Sequence, residues 1–128
     1  MKILSYSLLA SFVAIVGNPM LAYAQDEHAK EAMQHLEKAV ESGNKGDAKG
    51  AGAQSEEAEK DIIQENKEKP YTQPSKHITG ENPRAEHDKA TFEDIEKAKG
   101  YAKKGRAKAA ADAAKEAEIH LQKKEQSK

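Results

Sequence analysis

His28, Glu31 and His35 stand three and four residues apart, and on an α-helix that spacing sets Glu31 within reach of both imidazoles. With Leu36 at the centre of a buried face, the three run along one flank of it. His28 and His35 lie about 10 Å apart along the axis, too far to chelate one ion together. Each would instead share an ion with Glu31 and a group from a neighbouring helix. Near the other end of the chain, Asp112, Glu116 and His120 recur at four-residue steps. Imidazole nitrogen with carboxylate oxygen, and no thiolate, suits Cu(II), Ni(II) or Zn(II), with water completing the coordination. A single His–Glu pair on a charged helix is ordinarily solvated and holds nothing. Several such pairs at matching places in a repeat favour a metal.

Such a repeat exists. Sliding the chain by 59 residues without a gap lays His87–Leu121 onto His28–Ile62, with 13 of 35 pairs identical. His28 matches His87, Gly46 matches Gly105, and Glu57-Ala58-Glu59 matches Glu116-Ala117-Glu118. A unit of this size with helical periodicity and an internal turn is a helical hairpin. Two hairpins with apolar stripes bury them against one another, which predicts an all-α, up-down four-helix bundle.

Helix one is expected over Asp26–Ser42, with Ala29, Ala32, Met33, Leu36, Ala39 and Val40 on one face. Gly43 or Asn44 is expected to take the left-handed stop, and Asp47 to cap helix two, expected over Ala48–Asn66. Hairpin one thus spans 26–66. A linker over 67–82 follows, broken by Pro70, Pro74 and Gly80. Asn82 and Pro83 open hairpin two, over 83–124, with residues 125–128 as a frayed tail. Antiparallel pairing brings His87 towards His120 and Glu116, and His28 towards Asp61 and Glu57. His77 falls in the linker and has no helical partner.

Residues 1–24 have the layout of a secretory signal: Lys2, an apolar stretch over Ile3–Val16, then Ala22-Tyr23-Ala24. Gly17, Asn18 and Pro19 interrupt the apolar run, which argues against an uncleaved anchor. Cleavage after Ala24 leaves a periplasmic or secreted chain without a further membrane-inserted segment. No cysteine is present, so disulfides, thiolate metal sites and thiol chemistry are excluded. Charges of both signs are interspersed, with no basic stripe for nucleic acid. Large apolar residues are few, so the core rests on alanine and buries little area per residue. A monomer or weak self-association is expected.

The stretch His28-Ala29-Lys30-Glu31-Ala32-Met33-Gln34-His35-Leu36-Glu37-Lys38-Ala39-Val40, followed by Gly43 and Gly46, resembles the small metal-binding protein family. The shared pattern is H-x-x-E-A-x-x-H-x-E-x-A-[VI]-x-x-G-x-x-G. Ala114–Leu121 looks like the family's last helix, and Gly80-Glu81-Asn82 with His87 like its entry to the second hairpin. The resemblance implies an exported four-helix bundle that reversibly binds divalent ions, copper above all, for buffering or tolerance. It carries the ligand role to His28, His35, His87 and His120. Ser42, Asp47, Gln54, Asp61, Arg84, Thr91, Asp94, Tyr101, Arg106 and Ala113 stand where the family pattern has or admits histidine. This chain should therefore bind fewer ions, more weakly; Asp47, Asp61 and Asp94 retain oxygen donors.

Nothing points to an enzyme: there is no glycine-rich phosphate loop after a strand, no cysteine nucleophile and no C-x-x-C-H haem motif. Two readings follow. The first is a metal-binding bundle with His28, Glu31, His35, His87, Glu116 and His120 as ligands and Cu(II) favoured over Ni(II) and Zn(II). The alternative is a metal-independent, highly charged helical protein of the envelope, acting in stress or as a scaffold.

Overall fold

A computed structural model describes residues 26–69 and 82–127. The signal sequence expected over 1–24 and residues 70–81 of the linker lie outside the described residues; Lys67 and Glu68, expected to begin the linker, continue the second helix. Four helices make up 89% of the described chain: α1 (Glu27–Asn44), α2 (Ala48–Glu68), α3 (Pro83–Lys103) and α4 (Ala107–Gln126). They form the expected up-down bundle. None is long and apolar enough to cross a membrane.

Three of the four helix starts are capped by side chains. Asp26 accepts from the His28 amide at 3.0 Å, Asp47 from Gly50 at 2.8 Å and Asn82 from Ala85 at 3.2 Å. Arg106, the repeat equivalent of Asp47, cannot accept, and α4 starts without a side-chain cap. The left-handed turn residue is Gly46 in hairpin one (φ 83°) and Gly105 in hairpin two (φ 72°), not Gly43 or Asn44 as expected. Helix α1 simply runs through Asn44 before the chain reverses.

Gly43 serves packing instead. A Cβ there would lie 2.5 Å from the Ala107 carbonyl oxygen and 2.6 Å from Ala111 Cβ, so its hydrogen lets α1 and α4 approach. The repeat image of that contact is Ala102 against Gly52, where an added Cβ would lie 2.7 Å from Ala102 Cβ. Each crossing therefore holds one glycine and one alanine, in exchanged positions.

The core is built from repeat pairs. Leu36 and Ile95 correspond, as do Ile62 and Leu121, and all four are fully buried in one cluster with Ala32, Ala58 and Ala117. A second layer nearer the turns holds only Ala39, Ala98, Ala113 and Ala114, flanked by Val40 and Tyr101. Small residues on the inner faces of α2 and α4 let these two helices touch across the diagonal, whereas α1 and α3 do not.

Helix α4 continues through Gln126, so Glu125 and Gln126, expected to fray, are helical. The reason is a buried ionic network at the open end of the bundle. Lys124 is fully buried and gives its three ammonium protons three acceptors: Glu65 at 3.1 Å, Asp88 at 2.8 Å and Asn66 at 2.7 Å. Arg84 holds the other Glu65 oxygen at 3.1 Å and faces Glu125 at 3.6 Å. The network ties the last turns of α2 and α4 to the first turn of α3. It was not anticipated from the sequence, although Glu65 and Lys124 continue the heptad steps of Ala58–Ile62 and Ala117–Leu121.

Candidate metal centre

The capped start of α1 and the antiparallel turn onto α2 place the side chains of one corner. Asp26 fixes the first turn, His28, Glu31 and His35 follow along the flank of α1, and Asp61 faces them from α2. One ligand atom each from His28, Glu31 and Asp61 lies within 4.8 Å of the others. His28 Nδ1 is 3.6 Å from Glu31 Oε2, and its Nε2 is 3.4 Å from Glu68 Oε1. His35 Nε2 is 3.6 Å from Asp61 Oδ2, and its Nδ1 lies 2.8 Å from the Gln54 side-chain oxygen. Ligand atoms around an ion with bonds of about 2 Å are about 3–4 Å apart. His28 and Glu31 already meet that spacing, and with all three ligand atoms within 4.8 Å of one another a modest side-chain shift closes the set.

Two atoms of this corner are buried without a hydrogen-bond partner among the described residues: His28 Nδ1 and Asp61 Oδ2. A buried polar atom left unpaired costs about 1–3 kcal/mol, so native structures ordinarily pair it. Each borders another donor of the corner: Glu31 stands 3.6 Å from His28 Nδ1, and His35 Nε2 3.6 Å from Asp61 Oδ2. Burial and the neighbouring Glu31 and Glu57 raise the Asp61 pKa, against the opposing pull of His35 and His28. At His28, partial burial works against the charged ring, but the carboxylates of Glu68, Asp26 and Glu31 outweigh it and raise the pKa. Both groups hold protons more readily than usual, and a cation entering the corner would displace them.

The second hairpin makes a leaner corner. His87 on α3 and His120 on α4 come together with ring centroids 5.8 Å apart and planes tilted by 32°. Two imidazoles on a common ion have centroids about 4.5–6 Å apart, given metal–nitrogen bonds of about 2 Å. His120 Nε2 lies 3.7 Å from Asp94 Oδ2, and His120 Nδ1 is another buried atom without a partner. Glu116 is exposed on α4; the carboxylate within ion-pair distance of His120 is Asp94, across the hairpin. Glu57 likewise turns outward and pairs with Lys60 at 2.8 Å.

The two corners are related by the repeat, with ligand types exchanged. His35 and Asp61 face each other in hairpin one; their equivalents, Asp94 and His120, do so in hairpin two. Glu31 is replaced by Ala90 and Glu68 by Ser127, so the second corner has lost two carboxylates. Lys97 also competes for Asp94, donating to its other oxygen at 2.9 Å.

A family model for small metal-binding proteins matches residues 1–124, nearly the whole chain. The chain belongs to the small metal-binding protein family. No curated protein and no solved structure matches it. Within a small metal-binding protein, the two histidine corners are where the described side chains offer nitrogen and oxygen donors together. Arg84, at a position where the family pattern has or admits histidine, is taken up by the ionic network with Glu65 and Glu125.

Proposed function

We propose that this protein reversibly binds a divalent transition-metal ion, copper in preference to nickel or zinc, at the corner formed by His28, Glu31 and Asp61. His35, too far along α1 to share that ion with His28, faces Asp61 and offers a separate imidazole–carboxylate pair there. Water completes the shell. The observation that carries this reading is that His28, Glu31 and Asp61 each offer a ligand atom within 4.8 Å of the others, while His28 Nδ1 and Asp61 Oδ2 are buried with no hydrogen-bond partner among the described residues. Glu68 holds the proton on His28 Nε2 and leaves Nδ1 free to bind. Cu(II) is favoured because mixed imidazole and carboxylate donors without thiolate follow the ordinary divalent affinity order, in which Cu(II) leads.

The His87, Asp94 and His120 corner binds a second ion more weakly, having fewer carboxylates. The expected signal over residues 1–24 supports a periplasmic or secreted location, where reversible binding would buffer copper or confer tolerance. No step makes or breaks a covalent bond; the protein holds and releases its cargo by proton exchange.

Calorimetric titration of Cu(II) into the signal-free protein tests this. Micromolar or tighter binding that weakens sharply in His28→Ala and Asp61→Ala supports it. Affinity weaker than about millimolar, equivalent to about 4 kcal/mol, and indifferent to those changes would return the protein to the metal-independent scaffold reading.

A further inference from the structure

We propose that Gln54 is a positioning residue: its amide carbonyl holds the proton on His35 Nδ1 and so turns the Nε2 lone pair towards Asp61 as a ligand. The inference rests on the metal-binding reading above and extends it to a residue that touches no ion itself.

The two nitrogens of His35 have unequal surroundings. Nδ1 is 2.8 Å from Gln54 Oε1, a full-strength hydrogen bond between α1 and α2. Nε2 is 3.6 Å from Asp61 Oδ2, too long for an N–H to be donating there. Asp61 Oδ2 accordingly has no hydrogen-bond donor at all, though it is buried. The ring therefore uses its one neutral-state proton on the Gln54 side, and its lone pair confronts a carboxylate oxygen. Two acceptors facing one another across 3.6 Å repel, and a cation between them removes the repulsion. A neutral amide is well suited here, because it accepts the Nδ1 proton without adding a competing negative charge beside the site. Orientation of a ligating histidine through its second nitrogen is a general device for setting tautomer and ligand strength.

The second hairpin lacks the device. The residue equivalent to Gln54 is Ala113, and His120, the imidazole that faces an aspartate there, has its Nδ1 buried without a partner. Its tautomer is left unset.

The first arm of the test needs no metal. Long-range proton–nitrogen NMR of the labelled, metal-free protein at about pH 8, where an ordinary imidazole is neutral, reads the tautomer of His35 directly. The wild type and Gln54→Glu, which keeps an acceptor, should show the Nδ1–H form. Gln54→Leu should lose it and populate Nε2–H. In the second arm, Cu(II) affinity should fall about 10- to 100-fold in Gln54→Leu and be restored in Gln54→Glu. An Nε2–H ring in the wild type, or a tautomer unmoved by Gln54→Leu, overturns the proposal. If the tautomers behave as stated but Cu(II) binding does not depend on the histidines, it is the metal-binding reading that fails and the positioning role of Gln54 that survives.

Discussion

Glu65 and Lys124 occupy the same place in the two repeats, 59 residues apart, and hold each other at 3.1 Å with both side chains fully buried. The pair sits where α2 and α4 meet across the bundle. Duplication of one ancestral position would have set two like residues face to face on this diagonal; opposite charges make the contact workable. Asp88 completes the set, standing where the first repeat has Ala29.

Removing one member of such a network should be expensive. Lys124→Met leaves Asp88 a buried carboxylate without its cation and Glu65 with Arg84 alone, and we expect a loss of about 3–5 kcal/mol. Replacing the set together, Lys124→Met with Glu65→Leu and Asp88→Ala, should recover most of that loss, because the fully buried charges are gone and half-buried Arg84 keeps Glu125 as its partner. Urea unfolding followed by circular dichroism measures both.

Glu125 should make the fold pH-sensitive. Burial, then the adjacent Glu65 carboxylate, push its pKa from the usual 4.5 up to about 7, against the opposing pull of Arg84 and Lys124. The protonated form is thus favoured in the folded state. Its stabilising contribution is complete below about pH 4.5 and is lost as pH rises through about 7. The melting temperature of Glu125→Gln should lack this decline, so the two curves should diverge progressively between those values. Parallel curves would show that Glu125 does not titrate in that window.

Gly43 is expected to tolerate nothing larger. The Cβ of Gly43→Ala would collide with the backbone oxygen of Ala107 and with Ala111, and overpacking of this kind costs about 1–3 kcal/mol. Gly52→Ala should cost less. Its only close neighbour is the Ala102 Cβ, and Ala102 is only partly buried, so α3 has room to give. Thermal unfolding of the two variants ranks them.

Metal affinity should weaken as pH falls. His28 and Asp61 both have raised pKa values, so protons compete for the corner from higher pH than at an ordinary site. Cu(II) affinity should drop between about pH 7.5 and 5.5, where imidazole titrates. The drop should shrink in Glu68→Gln, since the Glu68 carboxylate is the largest of the charges raising His28.

Much of this was legible in the residues. The 59-residue register gave the hairpins, and three- and four-residue steps gave the buried faces around Leu36, Ile62, Ile95 and Leu121. Approach of His87 to His120 followed from antiparallel pairing. The partner of His120 was less accessible, because Glu116 shares its helix at an inviting spacing yet points outward between Ala113 and Ala117. Carrying the His35–Asp61 pairing across the repeat leads to Asp94 instead. Gly43 read as a turn residue by type, but its role depends on how closely α4 approaches, which no local spacing encodes. The ionic network stayed hidden for a similar reason. Charged residues on a heptad position look like an exposed flank until their partners from three helices are known.

An ion held between α1 and α2 is what the proposed function requires above all. Anomalous diffraction at the copper edge, from crystals of the protein with one equivalent of Cu(II), tests it most directly. The expected result is a peak within bonding distance of His28 and Asp61, with Glu31 alongside. A peak elsewhere on the molecule, or none at an occupancy that calorimetry says should be full, would contradict it.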